Sequence, residues 1–161
     1  MIIKRIKYLI ILVLLIINNK PTIQINSNNI DNKNYLIIEK INLKQPFYDI
    51  NNENNTIEKN IEVLKESIMP DKENSIVIIA AHSGEGNIAY FNDLIDLNIN
   101  DELILYYKNK YYKYNIIEIY EENKYGYIDV DKSINDQLIL TTCHPKKSNK
   151  QLVINAIKKE T

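Results

Sequence analysis

The sequence predicts a mostly β domain, a barrel or a sandwich, interrupted by two short helices. Three observations predict it. Short runs rich in Ile, Val and Tyr follow one another, separated by turn residues. Only two segments space their apolar residues at a helical interval. Stretches such as YYKNKYYKYNIIEIY, residues 106–120, join aromatic and β-branched side chains that suit a pleated surface, with no alanine among them. A chain of 161 residues builds one domain around one core.

The elements follow in order. YLIIEKINL at 35–43 contains a period-2 stretch and reads as a strand; Gln45 and Pro46 break it, and FYDI at 47–50 is a short partner strand. Residues 51–56 are a polar loop. Ile57, Ile61, Leu64 and Ile68 recur at helical spacing, so a helix is expected over 57–68, ended by Met69 and Pro70. Residues 70–74 form a turn. SIVIIAA at 75–81 is a continuous β-branched run, as expected of a strand buried on both faces. HSGEGN at 82–87 is a loop holding two of the three glycines. A short helix is expected over 89–97, with Phe91, Leu94 and Ile95 on one side. Residues 101–107 and 110–122 are two strands around a KNK turn, 125–130 is irregular, 136–143 is a strand, 144–150 a loop, and 151–157 the last strand. There is no internal repeat.

The N-terminus reads as an address. Lys4, Arg5 and Lys7 precede an uncharged apolar run from Tyr8 to Ile17, and no small-residue cleavage site follows. An uncleaved signal-anchor over 1–20 is expected, cytoplasmic side first; a cleaved signal peptide is the alternative. Both place the remainder outside the cytoplasm. Residues 21–34 are a polar linker, and 35–161 the folded domain.

Composition excludes several classes. Twenty Lys and Arg against 21 Asp and Glu leave no basic excess for nucleic acid. A single cysteine excludes an intrachain disulfide, an all-cysteine zinc site and an iron–sulfur cluster within one chain.

That cysteine, Cys143 in LILTTCHPKK at 138–147, has three readings: a small buried hydrophobe, a metal ligand, or a nucleophile. It ends one apolar strand, and His82 ends another at the start of a glycine-containing loop. A thiol beside an imidazole is the minimum for acyl transfer, given a donor for the oxyanion. His144 is a rival base, but successive strand residues face opposite ways, which turns it from the face of Cys143. A metal site from His82, Cys143, His144 and a carboxylate lacks the i,i+4 pairing of helical ligands. Gly84 and Gly86 read as turn residues, Phe91 and Leu94 as core, and the Tyr run at 106–114 as cross-strand pairing.

From about Tyr35 to Ala156 the chain resembles the sortases, cysteine transpeptidases of Gram-positive cell surfaces. LILTTC is similar to the family's strand ending in T-x-T-C. IVIIAAHSGEGNIAYFNDLIDLNINDELILYY is similar to its strand, histidine loop, F-x-x-L helix and following G-D-x-I strand, and YLIIEKINLKQPFYD to its opening strand. The resemblance implies a closed eight-stranded barrel, with Cys143 as nucleophile and His82 as acid/base. The family's third residue, an arginine at the start of the last strand, is here Gln151, preceded by Lys150. Gln151 donates without charge, and charge-assisted bonds are roughly twice as strong as neutral ones. Thr142, beside the nucleophile, and Lys150 are the expected substrate contacts, although alternation points Lys150 to the face opposite Gln151. Asn100 stands where the family often has glycine, and Asn tolerates positive φ.

The resemblance further implies cleavage of an LPxTG-like C-terminal sorting signal after threonine. A thioacyl intermediate then passes to an amine of a cell-wall precursor or a pilin lysine. The protein is expected at the cell membrane as a single-pass species with its catalytic domain extracellular. No cofactor is implied; calcium dependence is left open, with Glu85, Asp93, Asp96 and Asp101 as the available carboxylates. Two other classes stand beside the enzyme: an inactive membrane-tethered binding domain on the same barrel, and a structural domain with Cys143 buried.

Overall fold

The computed structural model describes residues 33–125 and 127–160, so the expected anchor over 1–20 and the linker up to 32 lie outside the described residues. Eight strands form one sheet: β1 (Asn34–Ile38), β2 (Leu43–Phe47), β3 (Glu62–Val63), β4 (Ile76–Ala80), β5 (Glu102–Tyr107), β6 (Lys110–Asn123), β7 (Gln137–Cys143) and β8 (Lys150–Lys158). Their order is β2-β1-β5-β6-β8-β7-β4-β3. Each pair is antiparallel except β4 with β7, which run parallel. The only regular helices among the described residues are 3-10 turns, Glu39–Ile41 and Asn92–Asp96, and no helix there is long and apolar enough to cross a membrane.

Side-chain alternation sorts the two faces. Val77, Ile79, Leu138, Leu140, Leu152 and Ile154 point into the main core. Their neighbours Ile78, Ile139 and Val153 form a second cluster on the outer face, packed against Leu64, Tyr120, Ile128 and Val130. This double covering explains why 76–81 is apolar throughout. Each fully buried Leu or Ile contributes about 1.5–3 kcal/mol.

The sheet curls into a nearly closed barrel. Its edge strands, β2 and β3, share no ladder. Buried Asn60 bridges them, donating from Nδ2 to the Pro46 carbonyl at 2.7 Å and accepting from Gln45 Nε2 at 2.6 Å.

Four sequence expectations are corrected. The strand over 35–43 is folded in two by the Glu39–Ile41 turn, with Asn42 at φ 51°. Gln45 and Pro46 do not break a strand but lie inside β2, an edge strand paired only to β1, where a missing N–H is tolerated. The helix over 57–68 is absent. Asn55 instead donates to and accepts from the Val63 backbone, at 2.8 and 2.9 Å, and Ile61 and Val63 enter the core on strand alternation. Such side-chain-to-backbone bonds compete with helical ones, and β4 offers an unpaired edge. The second helix shortens to the 3-10 turn Asn92–Asp96, because Asn92 is engaged with the Gly84 backbone; Phe91 and Leu94 are nonetheless buried as expected. Asn100 does take positive φ, 73°.

Candidate active site

The site is built by register. Along the parallel β4–β7 ladder, Ile76 pairs with Gln137 and Ala80 with Thr141, a constant separation of 61 positions. Continued two residues past the last pair, the same separation sets His82 against Cys143. Parallel strands alternate in phase, so both residues fall on the outer face with Ile78 and Ile139. Neighbouring strands lie about 4.8 Å apart.

Beyond the ladder, side chains and one backbone bond hold the two segments together. Ala81 N–H donates to the Thr141 carbonyl at 3.3 Å. The Thr142 hydroxyl donates to the Ala81 carbonyl at 2.8 Å. The Ser83 hydroxyl donates to the Cys143 carbonyl at 2.5 Å.

On its other side β7 pairs Cys143 with Gln151 of β8, and β8 pairs Gln151 with Glu122 of β6. One row across the outer face therefore reads Glu122, Gln151, Cys143, His82. One residue beyond β7, the His144 N–H donates to the Lys150 carbonyl at 2.9 Å, so Cys143 and Gln151 stand at a non-hydrogen-bonded position, whose side chains are closer together.

The expected residues lie as follows. Cys143 is a free thiol, half-buried on the outer face. His82 is half-buried, and its carbonyl accepts from Phe91 N–H at 3.1 Å, which fixes the start of its loop to a buried aromatic. Gln151 donates from Nε2 to the Asn123 carbonyl at 3.2 Å. Lys150 faces the other side, as alternation requires, with its amine 3.0 Å from Asn123 Oδ1. Thr142 is buried on the inner side, its hydroxyl committed to Ala81, so its side chain lies on the face opposite Cys143. His144 is buried too: its Nδ1 accepts from Lys146 N–H at 3.1 Å, and its Nε2 stands 3.2 Å from Glu121. Lys147, 2.6 Å from Glu121, holds that carboxyl below its usual range. Both ring nitrogens of His144 are thereby engaged away from the row.

The histidine loop owes its shape to two glycines. Gly84 and Gly86 have φ of 114° and 118°, where an L side chain is strained, and nothing lies within 4 Å of a Cβ on either, so the dihedral alone requires glycine. Gly84 N–H donates to Asn92 Oδ1 at 2.6 Å, and Asn92 Nδ2 returns a bond to the Gly84 carbonyl at 3.1 Å.

A groove of about 720 Å³ runs along the same outer face. Ile78, Ala80 and Thr141 floor it, Gln151 closes one side, and Ile128 and Val130 of the β6–β7 connection overhang it. His82 and Cys143 follow two residues beyond Ala80 and Thr141 along the two chain segments, and neither lines the groove. Among the described residues no group of three or more His, Cys, Asp or Glu side chains is arranged to hold a metal ion. Asp101, one of the four carboxylates singled out, is bound by Lys40 at 2.7 Å and by Asn98 N–H at 2.6 Å.

Sequence reasoning missed two residues of this neighbourhood. Ser83 was legible only as the neighbour of His82. Glu122 carried no signal before the β6–β8 register was known.

The profile of the sortase domain matches residues 36–159. The chain belongs to the sortase family. Comparison with curated proteins gives no match. Among solved structures, sortase C1 from Streptococcus agalactiae shares 24% identity over 79% of this chain and 67% of its own, with a TM-score of 0.68. Sortase A from Corynebacterium diphtheriae shares 23% over 80% of this chain and 61% of its own, with a TM-score of 0.67. Sortase C from Streptococcus pneumoniae shares 20% over 79% and 66%, with a TM-score of 0.65; its structure bears on catalysis and on pilin substrate specificity in that protein. The likeness establishes the sortase barrel, and the family is one of cysteine transpeptidases.

Proposed function

We propose that this sortase is an active cysteine transpeptidase in which Cys143 is the nucleophile, His82 the acid/base and Gln151 the neutral hydrogen-bond donor. The observation that carries the reading is the 61-position register of β4 and β7, the same separation that divides His82 from Cys143, two residues beyond the groove-lining Ala80 and Thr141. The substrate is an LPxTG-like C-terminal sorting signal lying in that groove, where Ile78, Ile128 and Val130 suit apolar side chains.

The chemistry has two balanced halves. The Cys143 thiolate attacks the carbonyl carbon after the signal's threonine, and the oxyanion accepts a bond from Gln151 and a backbone N–H. The C–N bond then breaks, and protonated His82 gives its proton to the leaving amine. An amine of a cell-wall precursor or a pilin lysine next gives a proton to His82 and attacks the thioester. The C–S bond breaks and the thiolate returns. Thr142 and Lys150 act in this reading through the strands that they tie, Thr142 to Ala81 and Lys150 to Asn123. Residues 1–20 anchor the protein in the cell membrane, and 21–34 tether the catalytic domain outside it.

One observation favours a second reading, a tethered binding domain without turnover: Gln151 replaces the family's arginine, and its amide is already donated to Asn123. Mass spectrometry of a sorting-signal peptide mixture incubated with the domain and free amines separates the two. Cleavage after threonine with amine addition, lost in Cys143→Ala, supports the enzyme; binding without cleavage supports the second reading.

A further inference from the structure

We propose that Ser83 is a positioning residue that holds His82 in register with Cys143. The inference rests on the Cys143–His82 reading above. It starts from the point where the ladder stops. The last β4–β7 pair is Ala80 with Thr141, two residues short of the reacting pair. Continuation of the parallel ladder would direct the Ser83 N–H to the Cys143 carbonyl, as the Ala81 N–H is directed to that of Thr141. The partner found on the Cys143 carbonyl is the Ser83 hydroxyl instead, at 2.5 Å.

The substitution has a local cause. The chain must leave the sheet immediately after His82, because Gly84 is at φ 114° and its N–H is given to Asn92. A backbone bond at Ser83 would keep the segment extended. A hydroxyl ties it to β7 while the backbone turns away. The Thr142 hydroxyl makes the reciprocal tie one position earlier, from β7 to the Ala81 carbonyl. The two hydroxyls therefore straddle His82 and Cys143, one from each chain segment. Without the second, the imidazole hangs from a segment fixed on the β7 side only as far as Ala81. A shift of about 1 Å in a reacting group can cost on the order of a hundredfold in rate.

The test reads the thiol directly. The rate of Cys143 alkylation is followed from about pH 5 to 9 in the wild type, His82→Ala, Ser83→Ala and Ser83→Thr, with peptide acylation rates and thermal midpoints alongside. In the wild type, Cys143 alkylation across this range is expected to depend on His82. Ser83→Ala is expected to lose about tenfold of that His82-dependent reactivity, moving toward the His82→Ala profile, and to lower kcat for acylation more than it raises KM. Ser83→Thr is expected to return both to within about twofold of wild type. Should Ser83→Ala not fold, Ser83→Thr against Ser83→Val gives the same comparison at constant shape. A Ser83→Ala profile superimposed on the wild type, while His82→Ala differs, overturns the role of Ser83 alone. Wild-type and His82→Ala profiles that coincide overturn the Cys143–His82 pair and this inference with it.

Discussion

The barrel closes two seams by different means. Between β4 and β7, five consecutive residue pairs share a backbone ladder, and hydroxyls of Thr142 and Ser83 extend it. Between β2 and β3 no ladder exists, and the amides of Asn60 and Gln45 clasp the edges. A ladder transmits register, because a one-residue slip would turn every side chain to the other face. A clasp transmits proximity only. Cys143, His82 and the groove floor all stand on the laddered seam. The clasped seam keeps the barrel shut and carries neither of the two proposed catalytic residues.

The difference is sharpest in the largest expected effect. Cys143→Ala should abolish sorting-peptide cleavage, and His82→Ala should reduce it by about 10²–10⁴-fold, while the thermal midpoint of each stays close to wild type. Cleavage by Cys143→Ala would break the comparison at its root. At the other seam, Asn60→Ala leaves the half-buried Pro46 carbonyl and the Gln45 amide without their partner. It should cost about 1–3 kcal/mol in urea unfolding while peptide turnover per folded molecule stays within about twofold. A loss of turnover at unchanged stability would show that the seams do not divide the labour.

Smaller effects sharpen the comparison. Gln151→Arg adds a charged donor next to Cys143 on the laddered side. It should raise kcat/KM for acylation by up to about tenfold, measured on the same peptide, with no change in the urea midpoint. The smallest effect lies away from both seams. Lys159 at 2.7 Å holds the Glu102 carboxyl below its usual range, burial opposes it, and Lys113 at 3.3 Å adds to the lowering. A depressed carboxyl pKa stabilises the fold above its unfolded value, near pH 4.3, and that contribution is lost as pH falls through the folded value. Wild type should therefore exceed Glu102→Gln by a few tenths of a kcal/mol at pH 7, with the gap narrowing as the carboxyl protonates at acid pH. Cleavage rates at pH 7 should not distinguish the two.

Much of the laddered side was legible in the sequence, for local reasons. The β-branched run at 75–81 and LILTTC announce their strands, and the strand ends locate His82 and Cys143. The β5–β6 turn was visible in KNK: Lys108 and Asn109 both adopt positive φ, 48° and 64°, the two-residue turn that matches strand twist. The clasped side was illegible because its determinants are long-range. Ile57, Ile61, Leu64 and Ile68 satisfy a helical period, yet Ile68 is 44% exposed and Asn55 and Asn60 take the backbone groups of Val63 and Pro46. Nothing in the local sequence reveals that β4 needs an edge partner there. The same holds for His144, whose distance from the row is settled by Glu121 on β6.

The central claim is that residues 82 and 143 stand side by side on the outer face. A His82→Cys variant tests it without reference to activity. Adjacent strands bring Cα atoms to about 4.8 Å, inside the range a disulfide spans, so mild oxidation should remove two hydrogens from the intact mass and protect both thiols from alkylation. A protein that keeps two alkylatable thiols after oxidation would contradict the register on which the site is built.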